Sequence, residues 1–253
     1  MPDRVLLEIC VGSVDDALAA VAKGADRLEL NCALTLGGLT PSVGLFAEVR
    51  RRVRVPIIAM VRPRSGGFAY SAADFEVMVQ DATSLLAAGA DGLAFGILTA
   101  GGEIDVVRCR QLREVCGDRT AVFHRAFDVT PDPVAALDFL IDLGFRRVMT
   151  SGQAESAAGA DTLSVIIRHA AGRIEVLPAG GVNENSAGEV IARTRCDQVH
   201  AGLRTVGRDP SVSARPSIRF GSTGSAPESE FDRTDAFAVA ALRSVLDRST
   251  PAC

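Results

Sequence analysis

Short apolar runs recur along this chain, and each is followed by a stretch whose apolar residues have helical spacing. Strands are expected near residues 5–10, 26–31, 55–61, 91–95, 120–124, 146–150, 174–178 and 197–200. Helices are expected near 13–23, 41–52, 72–88, 105–115, 132–143, 158–171 and 184–193. The junctions repeat as well. Lys23-Gly24-Ala25-Asp26-Arg27-Leu28-Glu29-Leu30 is echoed by Ala88-Gly89-Ala90-Asp91-Gly92-Leu93-Ala94-Phe95, and again by Leu143-Gly144-Phe145-Arg146-Arg147-Val148-Met149-Thr150. In each, a left-handed glycine ends a helix and a strand begins at once. Such junctions make parallel strands with helical crossovers. Eight strands with seven helices between them suit a closed barrel better than an open sheet. The fold class expected is therefore α/β, a (β/α)₈ TIM barrel. Ser13 and Asn183 are read as N-caps, and Pro133 suits the first turn of a helix.

The pattern breaks after Val199. Residues 203–230, rich in Ser, Arg, Gly and Pro, read as an irregular loop. A final amphipathic helix near 234–248, with apolar positions at Phe237, Val239, Ala241, Leu242 and Leu246, would be the eighth. No second domain is indicated, so residues 1–253 read as one barrel domain.

Composition narrows the function classes. The length of 253 residues is close to the ~250 typical of one such barrel, and 47% hydrophobic residues suffice to fill its core. No apolar run reaches the ~18 residues of a membrane span. The start, Met1-Pro2-Asp3-Arg4, lacks the features of a signal peptide. A cytoplasmic location and no membrane partner are expected. A net charge of −4, from 27 basic and 31 acidic residues, argues against a nucleic-acid partner. No nucleotide cofactor is indicated. Lys23 is the only lysine and sits at the wrong end of its helix, which excludes a Schiff-base enzyme. The six cysteines include no CxxC and no zinc-finger spacing. Cys109 and Cys116, seven apart, share one helix face and read as core packing.

In this fold the active site lies at the C-terminal ends of the strands. Glu8 and Glu29 fall near the ends of the first two strands, Arg62 and Arg64 after the third, and His124, Arg125 and Asp128 after the fifth. Ser151 follows the sixth strand and His200 ends the eighth. Carboxylates inside apolar strands are costly unless paired. They serve either proton transfer beside arginines that hold an anion, or a buried ion-pair network. On the first reading Glu8, Glu29, His124 and Asp128 are catalytic, and Arg62, Arg64, Arg125 and Ser151 bind the anion. The Gly180-Gly181 pair after the seventh strand adds backbone N–H groups suited to phosphate or carboxylate. Cys10 ends strand one and Cys32 follows strand two, so a Cys10/Cys32 pair is a candidate Cu(I) site for a soft metal.

Several blocks together closely resemble the CutC family over roughly residues 6–206. They are Leu7-Glu8-Ile9-Cys10, Gly24-Ala25-Asp26-Arg27-Leu28-Glu29-Leu30, Gly37-Gly38-Leu39-Thr40-Pro41-Ser42, Arg62-Pro63-Arg64 with Gly67-Phe68-Ala69-Tyr70-Ser71, Phe123-His124-Arg125-Ala126-Phe127-Asp128 and Val148-Met149-Thr150-Ser151-Gly152. The resemblance implies a cytosolic barrel, often a homo-oligomer, named for copper homeostasis. Two departures stand out. Where the family commonly has cysteine after the Glu-Leu pair of strand two, this chain has Asn31 and then Cys32; after His200, where it often has serine, this chain has Ala201-Gly202. Three readings remain open: Cu(I) handling; an acid–base isomerase, lyase or hydrolase acting on a small phosphorylated or carboxylated metabolite; or a scaffold that has lost activity.

Overall fold

The computed structural model describes residues 4–159, 161–221 and 226–249. Eight parallel strands carry the fold: β1 (Leu6–Val11), β2 (Arg27–Leu30), β3 (Ile57–Met60), β4 (Gly92–Phe95), β5 (Thr120–Phe123), β6 (Arg147–Thr150), β7 (Glu175–Pro178) and β8 (Gln198–Ala201). Each is followed by its helix: α1 (Val14–Ala22), α2 (Val43–Arg52), α3 (Ala72–Ala87), α4 (Val106–Cys116), α5 (Pro133–Asp142), α6 (Asp161–Ala170), α7 (Ala187–Thr194) and α8 (Ala236–Arg248). The sheet runs β7-β6-β5-β4-β3-β2-β1-β8. This is the (β/α)₈ barrel. Among the described residues β7 and β8 share no ladder; instead Gln198 Nε2 donates to Glu175 Oε2 across that seam at 3.4 Å.

Local chemistry explains the element ends. Ser13 Oγ caps α1 by accepting from the Asp16 amide. Ser71 and Asp74 form a reciprocal capping box on α3. Pro133 opens α5 as expected. Asn183 does not cap α7: its Oδ1 accepts from the Asn185 and Ser186 amides one turn earlier, and Ser186 holds the cap position. The stretch 203–230 is more ordered than its composition suggests. Its two ends pair antiparallel as β9 (Arg204–Arg208) and β10 (Glu230–Thr234), while residues 222–225 lie outside the described residues. No period-2 apolar signal marks this ribbon because β9 is mostly exposed. The eighth helix buries Val239, Leu242 and Leu246, but Phe237 is 87% exposed at its first turn. Cys109 and Cys116 lie in the core, as their spacing implied.

Outward-facing strand residues and the helices form the large core, with Phe46, Phe95, Phe123 and Phe127 among its biggest members. The barrel interior is divided. Above its lowest layer the β3–β7 side is apolar, built from Ile58, Met60, Ala94, Val122, Met149, Leu177 and Ala179. The β8-β1-β2 side is polar. There the register sets Glu8 opposite both Arg27 and His200, and Cys10 opposite Glu29. At the lower end of the interior Arg27 and Arg147 both donate to Gln198 Oε1, at 2.9 and 3.1 Å, and Arg147 pairs with Glu175 at 2.5 Å. Arg27 also pairs with Glu8, which is 2% exposed. A charge deprived of its partner in such a place is destabilising. Arg27→Ala is expected to lower unfolding stability by about 3–5 kcal/mol, measured by urea denaturation. A loss under about 1 kcal/mol would show that the pair is not holding the barrel floor.

Candidate functional site at the C-terminal mouth of the barrel

Above that floor a cavity of about 400 Å³ opens at the C-terminal ends of the strands. Its base is Cys10, Glu29 and His200; its walls include Asn31, Met60, Met149, Phe68 and His124. Arg62, Arg125, Arg204, Gly180, Gly181 and Gly202 ring the rest.

Glu8 links floor to cavity. One oxygen takes the Arg27 guanidinium and the other, Oε1, lies 2.8 Å from His200 Nδ1. Burial opposes its charge, but Arg27 and then His200 overcome that and hold the carboxyl well below its ordinary range. Burial also opposes charge on His200, yet Cys10, Glu29 and Glu8 together hold its imidazolium well above the usual 6.5. Glu29 is 3% exposed. Its Oε2 accepts from Asn31 Nδ2 at 3.0 Å and lies 4.0 Å from His200 Nε2, while its Oε1 has no partner among the described residues. Burial pushes the Glu29 carboxyl and the Cys10 thiol up. One ligand-type atom from each of Cys10, Glu29 and His200 falls within 4.8 Å of the others.

The rim is cationic. Arg62 is buried and has no carboxylate partner among the described residues; it donates to the carbonyls of Leu36, Gly38 and Gly66 at 3.1, 3.1 and 2.7 Å, leaving Nε unpaired. Its guanidinium lies 5.2 Å from the Phe68 ring centroid. Burial, with Arg62 adding to it, pushes His124 down to about 3. His124 Nδ1 accepts from the Ala126 amide at 3.2 Å, so the single ring proton sits on Nε2, which has no partner among the described residues. His124 is thus a neutral donor at the cavity wall. Arg125 is aimed by Asp128, 2.7 Å from its Nε, and by Ser151 Oγ at 3.0 Å. Gly180 lets it lie close: a Cβ there would sit 3.2 Å from Arg125 Cζ, and its φ of +91° is left-handed. The amides of Gly180, Gly181 and Gly202 have no backbone acceptor among the described residues.

Of the residues singled out from sequence, Glu29, Arg62, His124, Arg125, Gly180, Gly181 and Cys10 line the cavity. Glu8, Asp128 and Ser151 stand behind it. Asp128 is occupied by Arg125, the Thr150 and Ser151 hydroxyls and the Ser151 amide. Arg64 is turned elsewhere, paired with Asp74 at 3.0 Å and stacked on Tyr70 at 4.9 Å. Cys32 is outside the cavity as well, forming a bridge with Leu39 while its thiol donates to Thr40 O at 3.0 Å. Asn31 and Arg204 were not singled out. Asn31 could have been found, because period 2 from Glu29 keeps it on the inner face. Arg204 sits on the ribbon and carries no such signal.

A barrel with a cation-rimmed cavity at its strand ends defines the class of protein. The chain belongs to the CutC family, whose model matches residues 5–205. A Treponema denticola relative described as a family protein CutC is 46% identical over 230 residues, covering 90% of this chain and 94% of its own. The human copper homeostasis protein cutC homolog is 40% identical over 242 residues, covering 95% and 88%. A solved CutC structure from Streptococcus agalactiae superposes with a TM-score of 0.73 at 29% identity, covering 78% of this chain and 97% of that one.

Those names raise copper. Cu(I) favours soft sulfur, thiolate or thioether, and the site expected from the sequence is a pair of thiols. The cavity offers one, Cys10, whose Sγ is 3.3 Å from the Asn31 amide nitrogen, while Cys32 is engaged elsewhere. The residues present do not fit a two-thiol Cu(I) site. Cys32→Ser is accordingly expected to leave Cu(I) affinity unchanged in a chelator competition. Asn31→Cys, which sets a second thiol beside Cys10, is expected to raise that affinity by at least about tenfold. A separate check concerns His124: its ring ¹⁵N shifts are expected to report one neutral Nε2–H tautomer throughout the range from about pH 8 to about pH 5.

Proposed function

We propose that the cavity is the active site of an enzyme acting on a small metabolite that carries a phosphate or carboxylate group. The observation that carries this reading is the set of unspent donors at the mouth: the amides of Gly180, Gly181 and Gly202, which lack backbone acceptors among the described residues, beside Arg125 and Arg204. Loops after the last two strands of such barrels are frequent phosphate sites. Arg62 adds a cation without a carboxylate to neutralise it, which favours an anionic guest. The ion pairs that Arg125 and Arg204 make, with Asp128 and Asp232, are at least one-third exposed on the arginine side and leave donors free.

At the other end of the guest lie Cys10, Glu29 and His200, with the His124 Nε2–H donor at the wall. A cavity that pairs fixed cations with such groups suits isomerase, lyase or hydrolase chemistry on the bound anion. Lysine imine chemistry is excluded, since Lys23 is exposed at the far end of α1. The reading extends to this chain's copper-named relatives only as a shared family; a small anion and copper are different cargoes.

The test is calorimetric titration with inorganic phosphate. Saturable binding is expected, weakened at least tenfold in Arg125→Ala and in Gly180→Ala, whose added Cβ would press on Arg125. No saturable phosphate binding by the intact protein, or binding indifferent to both changes, would overturn the proposal.

A further inference from the structure

The base of the cavity holds a second, independent feature. Cys10, Glu29 and His200 come from three adjacent strands, β1, β2 and β8, and their donor atoms lie within 4.8 Å of one another. We infer that Cys10, Glu29 and His200 form a mononuclear site for a borderline divalent metal ion, Zn²⁺ foremost, with its open position facing the anion cavity.

Four observations support the assignment. The donor set is one sulfur, one imidazole nitrogen and one carboxylate oxygen, which suits Zn²⁺ and leaves Cu(I) short of a thiol. Three protein ligands with access to a cavity is the pattern of a metal centre that keeps a place for water or substrate. The ligands are also supported from behind. His200 Nδ1 is held at 2.8 Å by Glu8, which fixes the ring and leaves Nε2 for the metal, and Asn31 Nδ2 orients Glu29 Oε2 at 3.0 Å. Finally, Glu29 is a buried carboxylate with no arginine or lysine in salt-bridge range among the described residues, and its Oε1 is unpartnered. The His200 ring, 4.0 Å from Oε2, is the one charged partner it has among the described residues, and the carboxylate keeps an open acceptor at the cavity base. A divalent ion would use that open capacity and supply the remaining charge.

The inference deepens the proposed function, because an ion here would sit at the reacting end of the anion bound by the rim. It does not depend on that reading, since metal and phosphate are measured separately. Phosphate binding without metal binding would remove only the inference; metal binding without phosphate binding would remove only the anion reading.

The experiment uses the full chain, stripped with a strong chelator and then titrated with Zn²⁺ and with Co²⁺. One ion per chain is expected, with proton release detected by calorimetry in buffers of different ionisation heat. The Co²⁺ form should show a thiolate-to-metal absorption band in the near ultraviolet. Cys10→Ser should remove that band, and His200→Gln should weaken Zn²⁺ at least tenfold; Asn31→Ala, placed behind Glu29, should weaken it less than His200→Gln does. The Co²⁺ band is read on the unaltered protein, so it stands even where a variant folds poorly. Absence of a stoichiometric ion, a Co²⁺ spectrum without the thiolate band, or Zn²⁺ affinity untouched by Cys10→Ser would each overturn the inference.

Discussion

The carboxylate of Glu8 is the contact on which the floor and the cavity both depend. It sits in the middle of β1, 2% exposed, between a guanidinium below and an imidazole above. Burying a carboxylate there costs several kcal/mol in solvation. Arg27 and His200 offset that cost only if both are held in place, and they are. Arg27 is fixed by Gln198, which also holds Arg147 and reaches Glu175 across the unpaired β7–β8 seam. The side-chain network thus closes the barrel where the backbone ladder does not. The same carboxylate fixes which nitrogen of His200 is left for the cavity. Structure and chemistry meet in one residue.

This sharing accounts for the uneven interior. An apolar filling such as that on the β3–β7 side packs without any need for partners. The polar side must satisfy its buried groups, and apart from Arg147 Nη1 its floor does so with a continuous chain from Glu175 to Glu29. The chain runs out at the cavity. Glu29 Oε1, Arg62 Nε and His124 Nε2 are unpartnered among the described residues, and all three belong to residues that line it. Buried polar groups left open in this way are expensive in a purely structural network. Their gathering at one mouth, beside Arg125 and the free amides, makes a binding role the more economical account of the polar half.

The barrel was legible in the sequence because its signals are local: helix–glycine–strand junctions and short apolar runs need no tertiary knowledge. The site was legible only in outline. Strand ends identified Glu29, Arg62, His124 and Arg125, since strand polarity alone sends them to one face. Direction beyond the strand was not legible. Arg64 follows Arg62 by two residues, yet the Asp74 capping box on α3 draws it outward. Asp128 looked catalytic, but the turn after β5 folds it back onto the Ser151 amide. The β9–β10 ribbon was hidden because an exposed two-stranded hairpin leaves no apolar stripe.

The cysteines show how one position changes the chemistry that a shared fold can perform. Side chains of β2 alternate, so Glu29 and Asn31 face the interior and the thiol at Cys32 cannot. An inward thiol at position 31 would lie against Cys10; the amide found there donates instead to Cys10 and Glu29. In place of two sulfurs, the cavity base gathers one sulfur, one imidazole and one carboxylate within 4.8 Å. Mixed sets favour ions that tolerate oxygen and nitrogen and bind water or an anion in the remaining place. The cationic rim faces that same cavity, and the copper name of the relatives does not account for it.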